Sequence, residues 1–303
     1  MKGRNRSGHP EPFDGLTMSS LFSFFFLFLF SLPLHADEPL RMIFFQPGGE
    51  GTPEEAQPFL DALSAQISEK GGPAIKGTYV QDKATGEAAL RSGRFTIGIV
   101  PLDFYLLHST KPAMEILLAT LPEATGAPRD RFTLLIIRGK KMPALFPVTL
   151  SRPADEKFVR KILLKDWPQR DKAPITVAEP GLLAVLKKIA EGSLTAGALV
   201  DSFELRSLKA LSSPWAKELE EVHTSPETPS PPVVLLKPLD ETTKTNLKRA
   251  MIGLGSSEEG KEILSDLRLS GFADPPLDEY KKWVDHLSNA ARAAPKTPAE
   301  SPN

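Results

Sequence analysis

Short apolar runs alternate with amphipathic stretches along most of this chain. The run at 41–45 predicts a buried strand that ends at Gln46. Thr52-Pro53-Glu54-Glu55 then gives a helix-start signature of a Thr cap, an early Pro and a Glu three residues after the cap, although Pro58 leaves a start near Gln57 open. Further strands are predicted at 74–80, 95–100, 132–137, 148–150, 175–178 and 196–200, and helices at 82–92, 153–165 and 180–191. Such alternation predicts an α/β protein built from parallel βαβ units.

The chain has 303 residues, close to the size at which one core divides into two. We predict lobe 1 over 37–138, lobe 2 over 139–228, and a return to lobe 1 with its final helices over 229–288, with the strand at 132–137 as the first crossing. The Pro-rich stretch at 224–232 is neither helix nor central strand and serves as a linker. The Ala-, Pro- and Lys-rich tail at 289–303 is predicted to be disordered.

The first 36 residues have the features of a secretory signal. Lys2, Arg4 and Arg6 precede an apolar run at 21–34, which is shorter than the roughly 20 residues of a membrane span. We predict cleavage near Ala36/Asp37 and a periplasmic protein, with an uncleaved N-terminal anchor as the alternative. Acidic residues near the start leave open whether translation begins at Met1 or Met18.

Composition excludes several classes of protein. There is no cysteine, hence no disulfide, thiolate metal site or lipid-attachment cysteine, and a formal net charge of −1 argues against a nucleic-acid surface. The five histidines are too scattered for a metal site, and no Gly-x-Ser-x-Gly elbow or complete phosphate loop is present. The sequence therefore predicts neither an enzyme nor a bound metal or cofactor.

Four segments carry a family resemblance: 78–106 with its Pro-led loop after a strand, 182–201, 222–236, and 258–284 with its EEGKEIL and SGF runs. In this order they resemble phosphonate-type (PhnD-like) periplasmic substrate-binding proteins of ABC transporters. The resemblance implies a two-lobed type-2 periplasmic binding fold with two hinge crossings and a ligand cleft between the lobes. It also implies a small-molecule ligand and an ABC permease as partner. A ligand-sensing module of the same fold, acting on a membrane sensor protein, is the alternative.

The resemblance places the ligand at a Ser/Thr-rich turn before a helix of the second lobe, where unpaired amides receive an anion. Here that turn lies within 149–156, and Ser151 alone remains of the hydroxyl cluster. Asp155 and Glu156 would satisfy the helix dipole themselves and repel a dianion, while Arg152 could offset them. The implied ligand is anionic or phosphonate-like, but these residues argue against a phosphonate, and its identity stays open.

Ligands of open α/β sheets bind beyond the carboxyl ends of the strands. The candidate ligand-binding residues at such positions are Gln46, Asp103, Phe104, Tyr105, Ser151, Arg152, Glu179 and Asp201. Six of them also have a structural alternative. Asp103, Ser151 and Asp201 could cap helices, Arg152 could be a surface charge, Phe104 could belong to the core, and Gln46 could solvate a loop.

Overall fold

The computed structural model describes residues 38–49, 51–110 and 113–292, with the side chains of 289–292 left aside. The predicted targeting segment at 1–36, the two start codons and the cleavage point lie outside these residues. The last helix continues to Arg292, so the predicted disordered tail starts too early at 289, and 293–303 lie outside the described residues. In the described part of the chain, no helix combines the length and apolar character needed to span a bilayer.

The elements follow one another as the alternating pattern predicts. The strands are β1 (Leu40–Phe45), β2 (Ile75–Val80), β3 (Ile97–Ile99), β4 (Glu115–Pro122), β5 (Arg129–Asp130), β6 (Phe132–Ile137), β7 (Val148–Leu150), β8 (Ile175–Val177), β9 (Gly197–Asp201), β10 (Leu219–Thr224), β11 (Thr228–Pro229), β12 (Pro232–Leu235) and β13 (Leu269–Ala273). The helices are α1 (Pro53–Glu69), α2 (Lys83–Arg91), α3 (Leu102–His108), α4 (Glu156–Phe158), α5 (Leu182–Ala190), α6 (Ser202–Ala210), α7 (Glu241–Ile252), α8 (Glu258–Asp266) and α9 (Leu277–Arg292). A π-helix (Val159–Leu163) and two 3₁₀ turns (Pro214–Glu218 and Gly253–Ser256) complete the set.

Six strands form the sheet of the first lobe, in the order β13-β4-β12-β3-β1-β2. β1 lies parallel to β2 and β3, as the βαβ pattern predicts, and β12 returns antiparallel between β3 and β4. β4 was not predicted from the sequence. The predicted absence of a central strand from 224–232 was wrong at its end, because Pro232 begins the central strand β12. Buried apolar side chains of α1 and α7, including Leu63, Ile67 and Met251, pack in one cluster with the β1 residue Met42.

Five strands form the sheet of the second lobe, in the order β10-β6-β9-β7-β8. β7 lies parallel to β8 and β9, whereas β6 pairs antiparallel with β9 and β10. The strand at 132–137 therefore belongs to the second lobe, and its assignment to lobe 1 as the first crossing was wrong. Its register with β9 and β10 buries Leu134 and Leu135 inside the second lobe.

The two crossings between the lobes lie side by side. β5 leads from β4 into β6, β11 leads from β10 back into β12, and the two pair antiparallel as a separate two-stranded sheet. Asp130 faces Thr228 in this ribbon, and Arg129 faces Pro229. The two-lobed α/β arrangement with two hinge crossings is thus confirmed, with the first crossing upstream of its predicted position.

The start of α1 shows how the sequence sets an element boundary. The Thr52 side chain accepts a hydrogen bond from the Glu55 amide at 3.2 Å, and the Glu55 carboxylate accepts one from the Thr52 amide at 2.8 Å. This capping box fixes the start at Pro53, with Pro58 inside the helix, so the alternative start near Gln57 was wrong.

The single helix predicted at 153–165 is divided in the structure. Only Glu156–Phe158 is α-helical, and the π-helix Val159–Leu163 follows directly. Ring nitrogens of His286 and His223 bond the backbone carbonyls of Lys161 and Leu163. These partners come from distant parts of the chain, so helical periodicity alone could not predict them.

Candidate functional site

A cavity of about 250 Å³ lies between the two lobes, at the carboxyl ends of strands from both sheets. The first lobe contributes the ends of β1 and β3, and the second contributes the ends of β7 and β9. Asp130 and Thr228 of the crossing ribbon line the same space. The volume is just under the range of about 300–1,000 Å³ that is usual for ligand pockets, so it suits a small solute.

Most of the cavity wall is apolar. The side chains concerned are Phe44, Phe45, Ile99, Leu102, Phe132, Leu150, Phe158, Leu163, Leu199, Phe203, Leu267 and Leu269, with several prolines. Such a wall favours the apolar part of a ligand, and a few polar groups must then orient it.

The amide at the start of α4 is already occupied by a carboxylate of the opposite lobe. Asp103 Oδ2, in the first turn of α3, accepts a hydrogen bond from the Asp155 amide at 2.8 Å. Burial raises the pKa of the Asp103 carboxyl, and the bonds from the Asp155 and Phe104 amides oppose that rise. The position at which the family resemblance places an anion thus holds an acid of the protein itself.

Two further anion-binding groups of the second lobe are also engaged by acids. A terminal nitrogen of Arg152 lies 3.7 Å from Asp201 Oδ2. Burial and the charge of Asp201 raise the pKa of the Glu204 carboxyl, and the neighbouring Ser151 side chain and the charge of Arg152 lower it. Asp201 and Glu204 also form the capping box of α6, so the predicted capping role of Asp201 is present beside its ion pair.

Asp130 is a third acid in the lining of the cavity, beside Asp103 and Asp201, and it was not predicted. Oδ1 accepts a hydrogen bond from the Arg131 amide at 2.7 Å and a longer one from the Ser202 amide at 3.4 Å. Burial raises the pKa of Asp130 to about 6; the Ser202 side chain lowers it and the charge of Asp201 raises it. The two-residue strand that carries Asp130 has no periodicity by which a sequence pattern could reveal it.

The structure brings five of the eight candidate residues together and leaves three apart. Gln46, Asp103, Ser151, Arg152 and Asp201 line the cavity. The other three, Phe104, Tyr105 and Glu179, are outside the lining. Phe104 packs in the core edge-on to Phe45 at 5.5 Å between ring centroids, Tyr105 packs against Tyr280 at 5.6 Å, and Glu179 is exposed.

The two lobes are also in contact around Phe203 of α6. This contact was not predicted from the sequence. The guanidinium of Arg268, from the first lobe, lies 4.9 Å from the centre of the Phe203 ring, and that of Arg206 lies 5.6 Å from it. Arg206 also forms an ion pair with Glu123 of the first lobe at 2.9 Å. Arg268 adopts a positive φ of 57°, which is uncommon outside glycine. These residues are far apart in sequence and share no motif.

The loops after β1 and β7 meet at a second contact between the lobes. Gly48 has a φ of +64°, and a Cβ added there would lie 2.4 Å from Cδ of Pro153. Position 48 therefore needs glycine, because any side chain there would clash with Pro153. The lobes are in contact at Gly48 and at Phe203, as expected of a closed two-lobed protein.

We expect Gly48→Ala to shift the protein toward a more open form, because the added methyl group clashes with Pro153 only when the lobes meet. Gly93→Ala is the matched control: Gly93 has a φ of +66° and nothing within 4 Å of an added Cβ, so it carries the backbone strain without the clash. Small-angle scattering should give a larger radius of gyration for Gly48→Ala alone. Equal radii for the two variants would contradict closure at this contact.

Comparison with known proteins agrees with this architecture. The family model described as ABC transporter, phosphonate, periplasmic substrate-binding protein matches residues 173–280. A search of curated protein sequences gives no match. A binding protein component of an ABC phosphonate transporter from Pseudomonas aeruginosa aligns with a TM-score of 0.59 at 16% identity, covering 85% of this chain and 90% of that one.

Two other solved structures give similar values. A Xanthomonas citri protein bound to ATP aligns with a TM-score of 0.61 at 13% identity, over 84% of this chain and 99% of that one. PhnD1 from Prochlorococcus marinus, in complex with methylphosphonate, aligns with a TM-score of 0.60 at 10% identity, over 84% and 99%. At such identities the likeness shows the fold, so the predicted type-2 periplasmic binding fold is confirmed. The family match confirms the predicted resemblance over residues 173–280.

Proposed function

We propose that this chain is a periplasmic solute-binding receptor, which closes on a small ligand and delivers it to an ABC permease in the inner membrane. The cavity at the strand ends of both sheets is the observation that carries the proposal. A ligand in that space contacts both lobes only when they meet, so it binds the closed form better and shifts the population toward it. A permease that recognises the closed shape would then distinguish loaded from empty receptor.

Three further observations support this function. The crossings pair as one short ribbon beside the cavity, which gives the lobes a common hinge. The residues matched by the family model include β9, β12 and α8, on both sides of that hinge. The N-terminal apolar run, with its small residue at Ala36, supports export to the periplasm.

A ligand screen tests the receptor function directly. We expect the protein from Asp37 onward to gain about 5 °C or more in melting temperature with one chemical class of small solute at about 100 times its Kd. The panel should include phosphonates, carboxylates, sugars, nucleotides, alcohols and amines, each measured at two concentrations. A stabilisation that grows with concentration would support the receptor function, and a panel without any such solute would contradict it.

A further inference from the structure

We propose that the cleft takes a small organic cation with an apolar body, whose ammonium group binds at Asp130 while the body contacts the apolar wall. This inference rests on the receptor function proposed above and names its class of ligand. An organic cation differs from the phosphonate that the family resemblance implies.

Asp130 is an acid without a matching cation. The guanidinium groups on either side of it are paired with another acid: Arg129 lies 3.2 Å from the Glu227 carboxylate, and Arg131 lies 3.0 Å from it. Within the described residues, Asp130 forms no ion pair, and its contacts are hydrogen bonds and the repulsive charge of Asp201. Asp130 is partly buried, and a charge withdrawn from water is costly unless it is paired, so an ammonium group at this point would supply the missing partner.

Three donors of the second lobe that could bind an anion already face carboxylates, and Arg268, which also lines the cavity, lies over the Phe203 ring. The Asp155 amide donates to Asp103, the Ser151 side chain neighbours Glu204, and the Arg152 guanidinium lies beside Asp201. An incoming anion would have to displace a carboxylate at each of these positions. An incoming cation displaces none of them.

The wall favours a cation that also has an apolar body. Phe44, Phe132 and Phe203 line the same cavity as Asp130, and aromatic faces attract organic cations as well as apolar groups. The cavity volume of about 250 Å³ limits that body to a short alkyl or single-ring group. Small alkylammonium ions combine the required charge, size and apolar surface.

Binding of such a cation should depend on the ionisation of Asp130. Burial, helped by the charge of Asp201, raises the pKa of Asp130 to about 6, and an ammonium group beside it would lower that pKa by favouring the ionised acid. The affinity is then nearly full at pH 7 and falls by about tenfold between pH 7 and pH 5, as Asp130 takes up a proton before binding. Alkylamines stay protonated throughout this range. The other charged side chains that line the cavity are Asp103, Arg152, Asp201 and Arg268.

The test uses four probes that differ only in their head group: hexylamine, hexanol, heptanoate and hexylphosphonate. Isothermal titration at pH 7 and pH 5, at constant ionic strength, should rank hexylamine at least about tenfold tighter than each of the others at pH 7. Hexylamine alone should weaken at pH 5. Tighter binding of hexylphosphonate or heptanoate would overturn the cation assignment and leave the receptor function standing. Equal binding of hexylamine and hexanol would also overturn it.

Two substitutions locate the head group. Asp130→Asn should weaken hexylamine at least about tenfold and remove its pH dependence, while hexanol binding stays unchanged. Asp278→Asn, at an exposed aspartate of α9 outside the cavity, is the control and should change neither. Arg152→Ala should strengthen hexylamine binding, since it leaves Asp201 without its cation, whereas for an anionic ligand it would weaken binding. Loss of hexylamine binding in Arg152→Ala, or unchanged binding in Asp130→Asn, would overturn the inference. Failure of all four probes together with the wider panel would reject the receptor function itself.

Discussion

Replacing Asp103 by serine is expected to increase the affinity of the cleft for methylphosphonate by at least about tenfold, or about 1.4 kcal/mol. The Asp103 carboxyl occupies the Asp155 amide at 2.8 Å, so the substitution frees that donor and removes an acid from the wall. Two unit charges 4 Å apart interact by about 4 kcal/mol at an effective dielectric constant of 20. Removing only part of such a repulsion between the Asp103 carboxylate and the phosphonate would therefore give a tenfold gain in affinity. Isothermal titration at fixed ionic strength measures the change.

The control for this substitution keeps the charge. Asp103→Glu leaves a carboxylate in the first turn of α3 and should bind methylphosphonate no better than the unaltered protein. A melting curve for each variant checks that it remains folded. If Asp103→Ser gained no affinity, the Asp103 carboxyl would not be what keeps an anion from the start of α4.

The second large effect concerns stability. Tyr280→Ala is expected to lower the free energy of unfolding by about 3–5 kcal/mol, as large aromatic truncations in cores do. Tyr280 is 1% exposed, its ring packs edge-on against Tyr105, and its hydroxyl donates to the Ser230 carbonyl at 2.7 Å. Urea unfolding followed by intrinsic fluorescence measures the loss.

Tyr280→Phe separates the hydroxyl from the ring. It keeps the packing but leaves the Ser230 carbonyl without this donor, so the expected loss is about 1–2 kcal/mol. Ser230 lies between β11 and β12, and Tyr280 therefore ties α9 to the return crossing. A loss in Tyr280→Ala no larger than in Tyr280→Phe would show that the ring adds little to the attachment of α9.

The elements that the sequence predicted well are those defined by local chemistry. Thr52 and Glu55 form a capping box within one turn, and the apolar runs of β1, β6 and β9 predict strands without reference to distant residues. Which sheet a strand joins depends on its partners, and these are distant in sequence. β6 was placed in the wrong lobe for that reason, since its run of apolar residues suits either sheet.

The candidate site shows the same limit. Gln46, Asp103 and Asp201 follow strand ends, so a rule about strand ends finds them. The same rule included Phe104 and Tyr105, but successive residues on α3 point in different directions, and these two turn toward Phe45 and Tyr280 in the core. Asp130 and Phe203 acquire their positions from the crossing ribbon and from contacts between lobes. No local pattern marks either residue.

The pairing of β5 with β11 constrains how the two halves of this molecule can move apart. Each crossing holds the other by backbone hydrogen bonds, so neither strand can change its torsion angles independently. We therefore expect the lobes to rotate about both strands together, beside Asp130 and Thr228, which line the cavity. We expect a substitution in either strand to change how the two lobes rotate relative to each other. A ligand bound at Asp130 would act directly on the axis of that rotation.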